Sequence, residues 1–73
     1  MKMRVREWIE NNKESNYIAL QTENHKGQEN YHLAENAMEQ FEGWLEEEIV
    51  NVETFEEDEE KFTLLTIKLK KEG

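Results

Sequence analysis

Cysteine and proline are absent from these 73 residues, serine occurs once and glycine three times. Without cysteine there are no disulfides, no thiolate chemistry and no cysteine-based zinc site. With glycine only at Gly27, Gly43 and Gly73, phosphate-cradling glycine loops are excluded, and turns must be built from Asn, Ser, Lys and acidic residues. Nothing approaches the roughly 20 consecutive apolar residues that span a bilayer, and Met1 to Glu10 carries basic residues without an apolar secretory core. An intracellular, cytoplasmic protein is expected. Its acidity would repel anionic lipid headgroups, so no membrane partner is expected either.

The most telling deficit is positive charge. From Gly27 to Glu60 there is no Lys or Arg, while thirteen of the eighteen acidic residues fall in that window. A formal net charge of −9 is thus gathered into less than half of the chain, and its field favours cations or a basic partner over nucleic acid. Leu, Ile, Val and Phe total sixteen, enough for one small core, so residues 1–73 read as a single, marginally stable domain. Oligomerisation or partner binding would add stability to so charged a fold.

Patterning suggests an α+β fold in the order α-β-β-α-β-β. Val5, Trp8 and Ile9 share a helical face, and Arg4 with Glu7 and Arg6 with Glu10 can pair along it, predicting a short helix from Met3 to Asn11. The rival is a strand, since Met1, Met3 and Val5 alternate with basic residues, but that register puts Glu7 on the apolar face. Tyr17 to Thr22 and Glu29 to Leu33 read as a hairpin around the turn-like Asn24 to Gly27. Asn36 with Glu39 fits a capping box, and Ala34, Ala37, Met38, Phe41, Trp44 and Leu45 form a stripe that predicts one helix running to Glu48. Gly43 weakens that helix by roughly 1 kcal/mol relative to Ala, which a close backbone approach would explain. Ile49 to Phe55 and Phe62 to Lys70 then read as strands joined by an acidic loop. The expected architecture is a four-stranded antiparallel sheet with the second helix across one face. The last strand carries Phe62 and Leu64 on one side and Leu65, Ile67 and Leu69 on the other, so the second face should be partly buried too, by the first helix or by a second copy.

Catalysis finds little support. Ser15, the sole serine, falls in a polar turn with no evident base; His25 sits in the hairpin turn and His32 on the polar side of a strand. A carboxylate pair would need a cleft and one raised pKa, and the zinc-binding H-E-x-x-H pattern is missing. The run Glu56, Glu57, Asp58, Glu59, Glu60 suits hard cations, yet EF-hand spacing is absent and a solvated hairpin loop explains the run. No enzyme activity, cofactor or metal is expected.

Glu35, Glu39, Glu42 and Glu46 stand at i, i+4, i+7 and i+11, one row opposite Met38, Phe41 and Leu45 on the predicted helix. Exposed helices usually mix Lys or Arg into such a row, because like charges at i,i+4 destabilise by a few tenths of a kcal/mol. The carboxylates would lie about 4.5 to 6 Å apart along the axis, a sparser line than the roughly 3.4 Å axial advance of phosphates on a DNA strand. Glu47, Glu48, Glu53 and residues 56–60 extend it.

In size, acidity and charge placement between Gly27 and Glu60 the chain resembles the small acidic DNA-mimic inhibitors made by bacteriophages and mobile elements. Such proteins occupy the nucleic-acid site of a host or rival protein, such as a nucleoid-associated HU-type protein, RNA polymerase, a repair or restriction enzyme, or a CRISPR nuclease. The resemblance implies a basic nucleic-acid-binding protein as partner, no direct contact with nucleic acid, and Glu35, Glu39, Glu42, Glu46 and the 56–60 cluster as phosphate surrogates. Trp8 and Trp44 lie on apolar stripes and read as core. Lys2, Arg4 and Arg6 depart from a uniformly acidic mimic and would neutralise acidic residues within the fold or across a homodimer. The alternative is a small structural or adaptor homodimer whose acidity serves solubility.

Overall fold

The computed structural model describes residues 3–12, 14–24 and 30–68. Helix α1 (Val5–Asn11) leads into β1 (Tyr17–Thr22) and β2 (His32–Leu33). A broken helical segment follows, with a 3-10 turn over Ala34–Asn36, the short helix α2 (Ala37–Gln40) and a second 3-10 turn over Glu42–Trp44. Strands β3 (Glu48–Glu57) and β4 (Glu60–Lys68) complete an α+β domain.

The sheet is mixed rather than antiparallel, in the order β2-β1-β4-β3. Strand β1 pairs with β2 antiparallel but with β4 parallel, in register from Tyr17 opposite Phe62 to Thr22 opposite Ile67. The apolar run in β4 explains this placement. A strand apolar on both sides belongs inside a sheet, and Thr63, Leu64, Leu65, Thr66 and Ile67 are all buried. The charged β3 therefore takes the edge, reaching β4 through a tight hairpin closed by Glu57 opposite Glu60.

Both helices cover the same face. Val5, Trp8 and Ile9 of α1 join Ala37, Phe41 and Leu45 against Ile18, Leu65 and Ile67 in one core. The other face is partly buried as expected, at Ala19, Leu64 and Thr66, but α1 is not what covers it. That face carries Tyr17, Phe62 and Phe55 in a stacked ladder across β1, β4 and β3, with centroids 4.9 Å and 5.1 Å apart. Tyr31, in the segment entering β2, sets its ring edge-on against Phe55 and Phe62.

The start of α1 resolves the helix-or-strand ambiguity by using both. Arg4 bridges Glu48 in antiparallel fashion and the Ile49 N–H donates to the Met3 carbonyl, so residues 3–4 extend the sheet edge before the helix begins. The Glu7 carboxylate then accepts the Arg4 N–H at 3.1 Å, half of a capping box. The expected box at Asn36 does not form; Asn36 precedes α2 without a side-chain cap.

Five further expectations change. The continuous helix to Glu48 breaks at Phe41 (φ −105°, ψ 27°) and goes on as a 3-10 turn, and its acidic face supplies no i,i+4 pair that would favour an unbroken helix. Gly43 faces open space, so no close approach accounts for it. Trp44 is 40% exposed, whereas Trp8 is buried. Ser15 is buried and bonded to Thr63 rather than lying in a surface turn. His32 pairs with Ile18 and meets the Phe41 ring edge-on at 5.6 Å, on the helix-covered side of the sheet. His25, Glu29 and the end of the last expected strand, Leu69 and Lys70, lie outside the described residues.

Leu65 is fully buried in the central strand, so Leu65→Ala should cost about 2–5 kcal/mol, enough to unfold most of a small domain. Ile18→Val should cost about 0.5–1.5 kcal/mol in urea unfolding. A parent-like midpoint for Leu65→Ala would show that the core is not built around β4.

Candidate functional site

Breaking the helix dismantles the row expected along it. Glu35 lies in the first 3-10 turn, Glu39 in α2, Glu42 in the second 3-10 turn and Glu46 in the turn after it, all exposed. Without a continuous helical phase they no longer share one line. Glu46 is also neutralised, since the Arg6 guanidinium binds it at 2.9 Å, tying α1 to the turn before β3. Glu47 is half-buried and its Oε1 has no hydrogen-bond partner. Its backbone carbonyl accepts the Val5 N–H, so the residue anchors α1.

The remaining acidic residues concentrate on the β3–β4 hairpin. Six of the eight residues from Glu53 to Glu60 are acidic, and β3 is exposed along nearly its whole length. Period-two alternation places Glu53 and Glu57 beside Phe55 on the aromatic face, with Glu60 opposite Glu57 on the same side. Glu56 points to the other face, opposite Lys61, and Asp58 and Glu59 form the tip. Lys61, opposite Glu56 on β4, binds Glu14 at 3.2 Å. Among the described residues no ion pair or hydrogen bond from a side chain engages Glu35, Glu39, Glu42, Glu56, Glu57, Asp58 or Glu59.

Two features show that these carboxylates are held against local preference. Asp58 and Glu59 have φ of 54° and 68°, the left-handed pair that a two-residue hairpin turn needs. Asp tolerates that region; Glu does so poorly, and glycine is the usual choice at the second position. Glu57 and Glu60 face each other across the hairpin, where like charges oppose pairing.

Glu60 also acts on Tyr17. The Glu60 carboxylate, through its charge and a hydrogen bond, raises the phenol above its ordinary value of 10.0. Glu35 and Glu60, far apart in sequence, both line a groove of about 550 Å³ together with Ile18, Leu33 and Met38. Neither the groove nor the aromatic ladder was visible from the sequence. The only available signal was Tyr17, Tyr31, Phe55 and Phe62 falling in or beside strands.

Among the described residues no group of three or more His, Asp or Glu side chains is arranged to hold a metal ion. No helix among them is long and apolar enough to cross a membrane. No protein-family model, curated protein or solved structure matches this chain.

Two outcomes are expected. Glu59→Gly should stabilise the fold by up to about 1 kcal/mol in chemical denaturation, since relief of left-handed strain exceeds the added freedom of the unfolded chain; a destabilised variant would mean the turn is not strained. Because the folded Tyr17 keeps its proton at a pH where the unfolded phenol has lost it, stability should fall as pH rises past 10 toward the folded pKa. Glu60→Gln should lower the tyrosinate midpoint seen by absorbance; an unchanged midpoint would remove Glu60 as the cause.

Proposed function

We propose that this protein is a non-enzymatic inhibitor or modulator that imitates the nucleic-acid phosphate backbone and occupies the basic DNA- or RNA-binding surface of another protein. A nucleoid-associated HU-type protein, RNA polymerase or a nuclease are partners of the right chemistry. The observation that carries this reading is the β3–β4 hairpin, an exposed arm with six carboxylates in eight residues whose cross-strand lysine, Lys61, is paired with Glu14. A strand rises about 3.4 Å per residue, so carboxylates on one face repeat at about 7 Å, close to two axial steps of the phosphates on one DNA strand. The arm thus replaces the helix as the line of negative charge, with Glu53, Glu56, Glu57, Asp58, Glu59 and Glu60 as phosphate surrogates.

Glu35, Glu39 and Glu42, exposed on the helical turns, add negative charge that broadens the field steering a basic partner. Glu46 and Glu47 drop to a structural role, pairing with Arg6 and anchoring α1. Retention of a strained glutamate and an opposed glutamate pair where neutral residues would stabilise the turn also favours a function for the charge.

The alternative, a structural homodimer whose acidity serves solubility, draws on β3 as an edge carrying exposed Val50, Val52 and Phe55. Direct antiparallel self-pairing of β3 brings together strands with four glutamates and no Lys or Arg, which opposes it.

Changing Glu53, Glu56, Glu57 and Glu59 together to Gln should keep or raise stability and abolish salt-sensitive capture of a basic nucleic-acid-binding protein from a bacterial lysate. Each lost charge contact should also flatten the dependence of binding on log[salt]. Parent-level capture by the fourfold variant would remove the hairpin as the contact surface.

A further inference from the structure

The outer side of β3 is a second feature of the arm, separate from its charge. Met3 and Arg4 cover this edge at Glu48 and Ile49. From Asn51 to Glu57 no other described strand pairs with it. Edges of this kind are usually blunted by a bulge or by charged side chains, and here the charges are carboxylates, which repel an acidic strand but not a basic one. Here the bulge sits at the start of β3, where the register shifts between Ile49 and Asn51, and lysine is absent from the strand. Asn51 to Glu57 runs in regular register against β4, so its outer backbone groups repeat with the spacing another strand requires.

Phe55 gives this edge chemical selectivity. It ends the ladder Tyr17–Phe62–Phe55, whose neighbouring rings are nearly parallel at 12° and 7°. The ladder repeats at 4.9 Å and 5.1 Å because adjacent strands lie about 4.8 Å apart. Phe55 is 45% exposed at the sheet edge. A strand added beyond β3 would set the side chain opposite Phe55 about 4.8 Å further on, within the roughly 6 Å at which a cation is attracted to a ring. Glu53 and Glu57 flank Phe55 on the same face, each about 7 Å along the strand. A planar guanidinium can stack on the ring and donate to a flanking carboxylate at once, whereas a lysine ammonium offers no flat face.

We infer that the outer edge of β3 from Asn51 to Glu57 binds an extended, arginine-bearing segment of a partner protein as an added strand, with one arginine stacked on Phe55 between Glu53 and Glu57. This deepens the reading above, because it rests on the partner being basic and states how one of its segments is held. Charge complementarity selects this occupant over a second copy, since every charged side chain that β3 brings to such a pairing is a carboxylate.

The test uses the whole chain and a capped eight-residue peptide alternating arginine with valine, beside its lysine and citrulline counterparts, followed by backbone amide NMR titration. The arginine peptide should shift amides from Asn51 to Glu57, bind about threefold more tightly than the lysine peptide, and lose measurable binding as citrulline. Phe55→Leu keeps an apolar residue at a half-exposed position and should erase the arginine preference. Glu53→Gln with Glu57→Gln should weaken the arginine and lysine peptides alike.

Shifts confined to β2 or the helical turns would overturn the inference, as would an arginine preference that survives Phe55→Leu. So would a parent dimer in sedimentation whose β3 amides are already protected without peptide. Loss of captured partner on neutralising the hairpin, but parent-level capture by Phe55→Leu, would reject the arginine stacked on Phe55 and leave phosphate mimicry standing. Parent-level capture by both would reject the two together.

Discussion

Parallel pairing of β1 with β4 is the contact on which the rest of the molecule depends. It sets Ile18 and Leu20 beside Thr63 and Leu65 on the helix-covered face, and Tyr17 and Ala19 beside Phe62 and Leu64 on the other. With these two strands at the centre, α1 and the broken α2 segment have one apolar face to cover, and both cover it. The same pairing leaves β4 only one free side, which β3 fills through the tight hairpin. The most acidic strand is thereby placed at the edge, where its side chains reach water on both faces.

Electrostatics then acts on a geometry that packing has already set. Arg6 and Lys61 are drawn to Glu46 and Glu14, so they stabilise the junctions around α1 instead of neutralising the hairpin. Exposed pairs of this type contribute about 0–1 kcal/mol, too little to counter the repulsion of a −9 chain, and most of the stability must come from the nine-residue core. The charged arm also sits in a molecule 41 Å long and 24 by 23 Å across, so its field projects from an elongated body. The aromatic ladder lends that arm rigidity on the face away from the helices.

Much of the fold was legible because period and composition speak locally. Strand β1 was readable to the residue from its β-formers, and α1 from Val5, Trp8 and Ile9. The long second helix was not: beyond Phe41 the core takes in Leu45 but leaves Trp44 40% exposed, and the backbone there is a 3-10 turn. A hydrophobic pattern reports which residues can be buried; it does not report how many turns the available face can hold. The sheet's parallel pair was hidden for a different reason: a continuous apolar run marks β4 as central but says nothing about the direction of its neighbour. Of the candidate site, the acidic residues of the hairpin were visible in the charge distribution, while the arrangement of the helical ones depended on a helix that breaks.

The amino-acid order alone determined that a small, cysteine-free domain would carry its negative charge between Gly27 and Glu60, since charge segregation is a property of the chain and survives any folding. It also determined where apolar residues could form strands and helices, because local spacing of two or near four residues is set by backbone geometry. Only the tertiary structure decided which carboxylates remain unneutralised and which become internal fastenings, because Arg6 and Lys61 choose partners by proximity across forty residues or more. Only it brought Tyr17, Phe62 and Phe55 into one stack, because that alignment is a product of strand order and register, neither of which any local stretch contains.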